Sequence, residues 1–170
     1  MSNEPVEVST SEEQTEAIKK AISSACRMLA IREHSKKQIG EKLARKGFGS
    51  ETIQTTLRYL IDENWLNENR FCSSFIRSKS AKGQGLLRIE TELRQQNISQ
   101  DCIRQTLIEE PVDWQNICEQ TLLKKIRAYS VTDKNLIKED FAQRVKLEKF
   151  LKYRGFSAEE IKTAFNCCLV

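Results

Sequence analysis

One corner recurs three times along this chain. Leu43, Leu93 and Leu151 are each followed four residues later by Gly47, Asn97 and Gly155, and then by Phe48, Ile98 and Phe156. Gly49, Ser99 and Ser157 come next, followed two residues on by Glu51, Asp101 and Glu159. Ile53, Ile103 and Ile161 then precede Leu57, Leu107 and Phe165, with offsets of 50 and 58 residues between copies. Each position has a physical role. Glycine or asparagine suits the left-handed residue just past a helix. Serine, and to a lesser degree glycine, caps the next helix. The apolar residue before the cap and the isoleucine after it can form a hydrophobic staple, and the acid sits where the helix dipole favours it. Ser157 and Glu160 add a capping box in the third copy. The spacing therefore predicts a helix, a tight turn and a second helix, three times over.

The intervening segments predict further helices. Ile18, Ile22, Ala25, Cys26 and Leu29 share a face of a first helix. Asn64 to Asn67 reads as another turn, with Asn64 past one helix end and Asn67 capping the next. Phe71 and Phe75 follow it, and Leu86, Ile89 and Leu93 mark a helix beyond. After Pro111, Asp113 caps a helix whose stripe is Trp114, Cys118, Leu122, Ile126 and Tyr129, and a polar connector runs from Ser130 to Asn135. Only two prolines interrupt these patterns. The expected fold is all-α: three tandem three-helix repeats forming an elongated, curved array. Residues 1–14 are expected to be a disordered acidic tail, with repeats over 15–66, 67–110 and 111–170.

Charge bears on the partner. Residues 1–16 hold five glutamates and no lysine or arginine, so the rest of the chain carries 28 bases against 19 acids. A basic body of this kind suits a polyanionic partner. The six cysteines form no Cys-x-x-Cys pair, and one histidine is a poor complement for zinc, so structural thiols in a reducing cytoplasm are expected. No apolar run reaches the ~20 residues of a membrane span, and the N-terminus has no leader-like apolar region.

Four stretches resemble one family. Arg32-Glu33-His34-Ser35, with Ile39 and Leu43 downstream, resembles the opening signature of the RecX family. Asn64-Trp65-Leu66-Asn67 with Arg70-Phe71 resembles its second element. Lys82-Gly83-Gln84-Gly85, then Arg88-Ile89, Glu92-Leu93 and Asn97-Ile98, is similar to its central stretch. Lys146, Phe150-Leu151 and Arg154-Gly155-Phe156 resemble its C-terminal signature, so the likeness runs from about residue 21 to 166. Asn64 and Asn97 stand where the family has glycine, Leu86 where it often has proline, and Gln84 where it often has an aromatic residue.

The resemblance implies a negative regulator of RecA recombinase. It would bind the groove of the RecA–DNA filament and suppress ATP hydrolysis, strand exchange and coprotease activity. The expected partner is that filament, with weak non-specific contact to single- or double-stranded DNA, and the chain is expected to act as a monomer.

Arg70, Arg77, Lys79, Lys82 and Arg88 form an acid-poor basic segment, interleaved with Ser78 and Ser80 and with Gly83 and Gly85. This segment is the first candidate contact surface. Lys124, Lys125 and Arg127, with Lys146, Lys149 and Lys152, are secondary basic faces. Trp65 and Trp114 are expected to pack at repeat junctions, and His34 to occupy a turn.

Two other function classes compete. Helix–turn–helix DNA binding fits the tight turns, but acids open each following helix where a reading helix meets DNA. A plain helical scaffold also fits the periodicity. Catalysis is not expected, since the chain shows no phosphate loop, nucleophile–base pair or metal-ligand spacing. Neither a cofactor nor a metal is expected.

Overall fold

The computed structural model describes residues 7–128 and 141–168. Residues 1–6, Tyr129 and the Ser130–Asn135 connector lie outside the described residues. Among the described residues there are nine helices and no strand: α1 (Glu7–Leu29), α2 (Lys36–Arg45), α3 (Ser50–Asp62), α4 (Glu68–Ser80), α5 (Leu86–Gln95), α6 (Gln100–Glu109), α7 (Trp114–Ala128), α8 (Phe141–Arg154) and α9 (Ala158–Cys168). The all-α expectation holds.

The corners form as their residues require. Gly47, Asn97 and Gly155 have φ of 87°, 62° and 92°, and Asn64 has φ of 55°. At four corners the same pair of bonds closes the helix. The Phe48 N–H donates to Leu43 O and the Gly47 N–H to Ala44 O; Trp65 and Asn64, Gln84 and Gly83, and Phe156 and Gly155 repeat the pair. This Schellman geometry satisfies carbonyls that the helix leaves unpaired.

The caps follow the same logic. Ser35 accepts from the Gln38 N–H at 3.0 Å and Ser99 from the Cys102 N–H at 3.2 Å. Asn67 accepts from Arg70 N–H and Asp113 from Asn116 N–H. Ser157 and Glu160 bond reciprocally, completing the capping box. Gly49 begins α3 with extended backbone and no side-chain cap.

One boundary differs from expectation. Helix α1 starts at Glu7, so residues 7–14, expected in a disordered tail, are helical. Glu12, Glu13 and Glu16 precede Lys19, Lys20 and Arg27 along the axis, the order that the helix dipole favours. Glu16 and Lys20 also pair one turn apart.

The chain divides into two compact units. The first comprises Met1–Phe71 with Gln96–Ile98, and the second Cys72–Gln95 with Ser99–Val170. In the first, Ala21 and Ala25 of α1 meet Ile39, Leu43, Leu57, Leu60 and Leu66 in a buried cluster. Small residues at the centre of the α1 face let the helices approach closely, while Ile18, Ile22 and Leu29 flank them half-buried. In the second, Cys118, Leu122 and Ile126 pack with Leu147, Leu151, Phe156, Ile161 and Phe165. Leu93 and Ile103 are fully buried, and Leu107 is half-buried. Burial pushes the Cys118 thiol up to about 12 and the Cys72 thiol to about 11, so both stay protonated as small apolar groups. No described helix is long and apolar enough to cross a membrane.

Trp65 differs from its expected role. It is 46% exposed and meets Tyr59 edge-on, with ring centroids 5.9 Å apart. Trp114 is half-buried.

Candidate functional site

Four of the five bases in the expected contact segment are engaged by acids. Arg70 pairs with Glu33 at 2.9 Å and also donates to the carbonyls of Asn64 and Trp65, so it closes the corner before α4. Arg77 lies 3.8 Å from Glu110 and keeps 69% of its side chain exposed. Lys79 and Arg88 both bond Glu92, joining α4 to α5, and Lys79 Nζ sits 4.9 Å from the centre of the Phe75 ring. Glu92 is raised by its partial burial and lowered by the bonds from Lys79 and Arg88. The bonds prevail and hold it below the usual carboxylate range.

Lys82 is different. It is exposed, and its side chain makes no ion pair among the described residues.

The glycines around Lys82 shape the loop that carries it. The α4–α5 loop docks on the end of α8, within the second unit. Gly85 N–H donates to Arg154 O at 2.9 Å, and Leu87 N–H to Gly155 O at 3.1 Å. Arg88 donates to Tyr153 O and lies over the Tyr153 ring, while Arg154 donates back to Lys82 O. Orphan donors at the start of α5 thus meet orphan acceptors at the end of α8. The approach leaves no room for side chains. A Cβ at Gly85 would lie 2.4 Å from Gly155 O, and one at Gly155 would lie 2.3 Å from Arg88 Cβ. The two glycine-bearing signatures read from the sequence therefore interlock with each other.

This docking assembles a cleft of about 500 Å³ in the second unit. Lys82 and Gly83 from the loop, Lys124 and Lys125 from α7, and Arg154 from α8 line it, and among the described residues no acid does. Phe150 forms part of the wall. Lys125 Nζ and the Arg154 guanidinium carbon each lie 5.1 Å from its ring centre, which holds the two cations in place. Lys124, like Lys82, makes no ion pair among the described residues. Asn116, Gln120 and Thr121 add hydrogen-bonding groups.

The remaining secondary bases lie elsewhere. Arg127, Lys146, Lys149 and Lys152 are exposed and do not line the cleft, and Lys152 pairs with Glu148 at 2.7 Å. Reading the sequence missed Asn116, Gln120, Thr121 and Phe150. The signal was present in part: Asn116, Gln120 and Lys124 follow one another at four-residue intervals, a polar stripe on α7 beside the buried one. The described residues contain no group of three or more His, Cys, Asp or Glu placed to hold a metal ion.

Comparison with known proteins places this geometry in a family. The profile of the first three-helix domain of RecX matches residues 21–60, and that of the second matches residues 67–107. The regulatory protein RecX of Halorhodospira halophila is 33% identical over 150 residues, covering 88% of this chain and 87% of that protein. The regulatory protein RecX of Vibrio campbellii is 30% identical over 143 residues, covering 84% and 88%. Among solved structures, RecX from Lactobacillus salivarius superposes with a TM-score of 0.70 at 20% identity, covering 91% of this chain and 97% of that one. A second crystal structure, of regulatory protein RecX, gives 0.77 at 18% identity, covering 97% and 79%. With relatives 30% and 33% identical aligned over most of their length and two matching domain profiles, the chain belongs to the RecX family of regulatory proteins.

Proposed function

We propose that this chain is a negative regulator of RecA recombinase. It binds in the groove of the RecA–DNA filament and suppresses ATP hydrolysis, strand exchange and coprotease activity. It acts in the cytoplasm as a monomer, without a cofactor and without catalysing a reaction of its own. Membership of the RecX family gives the class of activity. The observation that supports a filament contact is the cleft carrying Lys82, Lys124, Lys125 and Arg154, lined by no acid among the described residues. Arg77 adds an exposed charge elsewhere in the second unit, whereas Arg70, Lys79 and Arg88 act by fixing the elements around them.

Base reading by a helix after a tight turn finds no support, because Glu51, Asp101 and Glu159 are all exposed in the first turns of α3, α6 and α9. The test is RecA-promoted strand exchange and ATP hydrolysis with added purified protein. Inhibition is expected below equimolar ratios, and Lys124→Glu with Lys125→Glu should weaken it about tenfold or more. Undiminished RecA activity at equimolar protein would refute the reading.

A further inference from the structure

We infer that the cationic cleft of the second unit holds consecutive phosphates of a single nucleic-acid strand directly, as a site distinct from any contact with protein. This deepens the proposed function, because it names the chemistry met by one part of the filament-binding surface. Lys82, Lys124, Lys125 and Arg154 converge from three separate elements, and no carboxylate of the described residues lines the cleft with them. Elsewhere in the second unit, Arg77, Lys79 and Arg88 are met by Glu110 and Glu92. Lys82 and Lys124 make no ion pair among the described residues, and both line the same hollow.

The shape favours a strand over a small molecule. Lys82, Lys124, Asn116 and Gln120 are exposed, so the cleft is an open trough. Small-molecule sites instead enclose most of the ligand surface. The chemistry favours phosphate over carboxylate. Three of the four cations are lysines, compact point charges suited to the diffuse anion of a phosphodiester. The fourth, Arg154, has its guanidinium committed to Lys82 O and to the Phe150 ring, and so is poorly placed to fork a carboxylate. Thr121, Asn116 and Gln120 supply hydrogen bonds that do not depend on base identity. Phe150 already carries a cation at each of two approaches, so it positions charge and does not stack bases. Binding should therefore be indifferent to sequence and strongly dependent on salt.

The experiment is fluorescence anisotropy of a labelled oligothymidylate with the full chain, without RecA, over a series of salt concentrations. The variant is Lys82→Gln with Lys124→Gln. Both residues are exposed and make no ion pair among the described residues, so its far-UV circular dichroism should match the parent. We expect affinity at low salt to fall about tenfold. The slope of log affinity against log salt should fall by roughly 1 to 1.5, at about 0.7 for each phosphate of a single strand that is no longer neutralised. Lys36→Gln with Arg45→Gln, outside the cleft, should lower low-salt affinity far less, through net charge alone, and leave the slope unchanged. Equal affinity and slope in the cleft variant would overturn the inference. So would displacement of the oligothymidylate by polyglutamate at the same charge concentration, which would assign the cleft to carboxylates. Because RecA is absent, failure here leaves the RecA reading standing. Failure to inhibit strand exchange, conversely, leaves strand binding by the cleft intact.

Discussion

Single residues in this protein often do something other than what their type suggests. Arg70 looks like a contact residue and is a latch on a helix corner. Gly83 and Gly85 read as points of approach for a partner, yet Gly85 is where the chain approaches itself. Gly85→Ala would press a methyl group onto Gly155 O and Phe156 N, backbone atoms that cannot rotate away. It should lower stability by about 1–3 kcal/mol in urea unfolding. An unchanged midpoint would show that the docked loop gives way freely.

His34 is a buried turn residue with a defined tautomer. Its Nδ1–H donates to Arg32 O at 2.9 Å, and its Nε2 accepts from Lys42 Nζ at 2.7 Å. Burial first, and then the charges of Arg32 and Lys42, lower its pKa below the usual value. The folded state thus favours the neutral ring. Its stabilisation is intact above the unfolded pKa of about 6.5 and is lost as pH falls below that value through the folded pKa. Melting temperature should decline over this window, and His34→Gln should flatten that part of the profile. An identical decline in the variant would assign it to other groups.

Elements begin and end where local chemistry instructs them. Four Schellman corners among the described residues close with the same pair of hydrogen bonds, and they do so whether glycine or asparagine supplies the left-handed residue. That is why Asn64 closes its corner with the same bonds as Gly47 and Gly155. Ser35 carries more than its cap, because its hydroxyl also donates to the Gln96 side chain in the same unit, and it is fully buried. Ser35→Ala should cost about 1–2 kcal/mol, more than removal of an exposed cap such as Ser99, since it strands a second polar group. Thermal melts of the two variants provide the comparison, and equal effects would mean that the Gln96 bond contributes nothing. Glu92 acts between elements, clamped by Lys79 and Arg88. Reversing those two bases would set three carboxylates together, so charge reversal in this segment would perturb the fold as well as any contact.

Over the whole molecule, where the bases lie matters more than how many there are. The net charge is only +4, yet one cleft gathers four cations. Changing Glu12, Glu13 and Glu16 together to glutamine would raise the net charge from +4 to +7 without touching the cleft. It should speed association with a polyanion only severalfold at low salt, through long-range attraction that salt screens. Stopped-flow association with the labelled oligothymidylate measures this. A gain exceeding the decrease caused by Lys82→Gln with Lys124→Gln would make overall charge the determinant.

The sequence by itself determined the helices, their caps, their left-handed corners and the buried leucines. These depend on interactions spanning a few residues, and the three-fold repetition made them legible in Leu43, Gly47 and Ile53 and their counterparts. It also carried the family likeness. The helical start at Glu7 was partly hidden, because acidic, polar residues read as a tail until their order along the dipole is weighed. Local spacing set the pairs one turn apart, such as Glu16–Lys20 and Glu148–Lys152, but the longer-range pairings were decided only by tertiary structure. Arg70 meets Glu33 thirty-seven positions away, and Lys82 joins Arg154 across seventy-two. For a base whose acid lies on another helix, as Lys79 with Glu92, neutralisation depends on which helix folding brings beside it, and no local spacing encodes that.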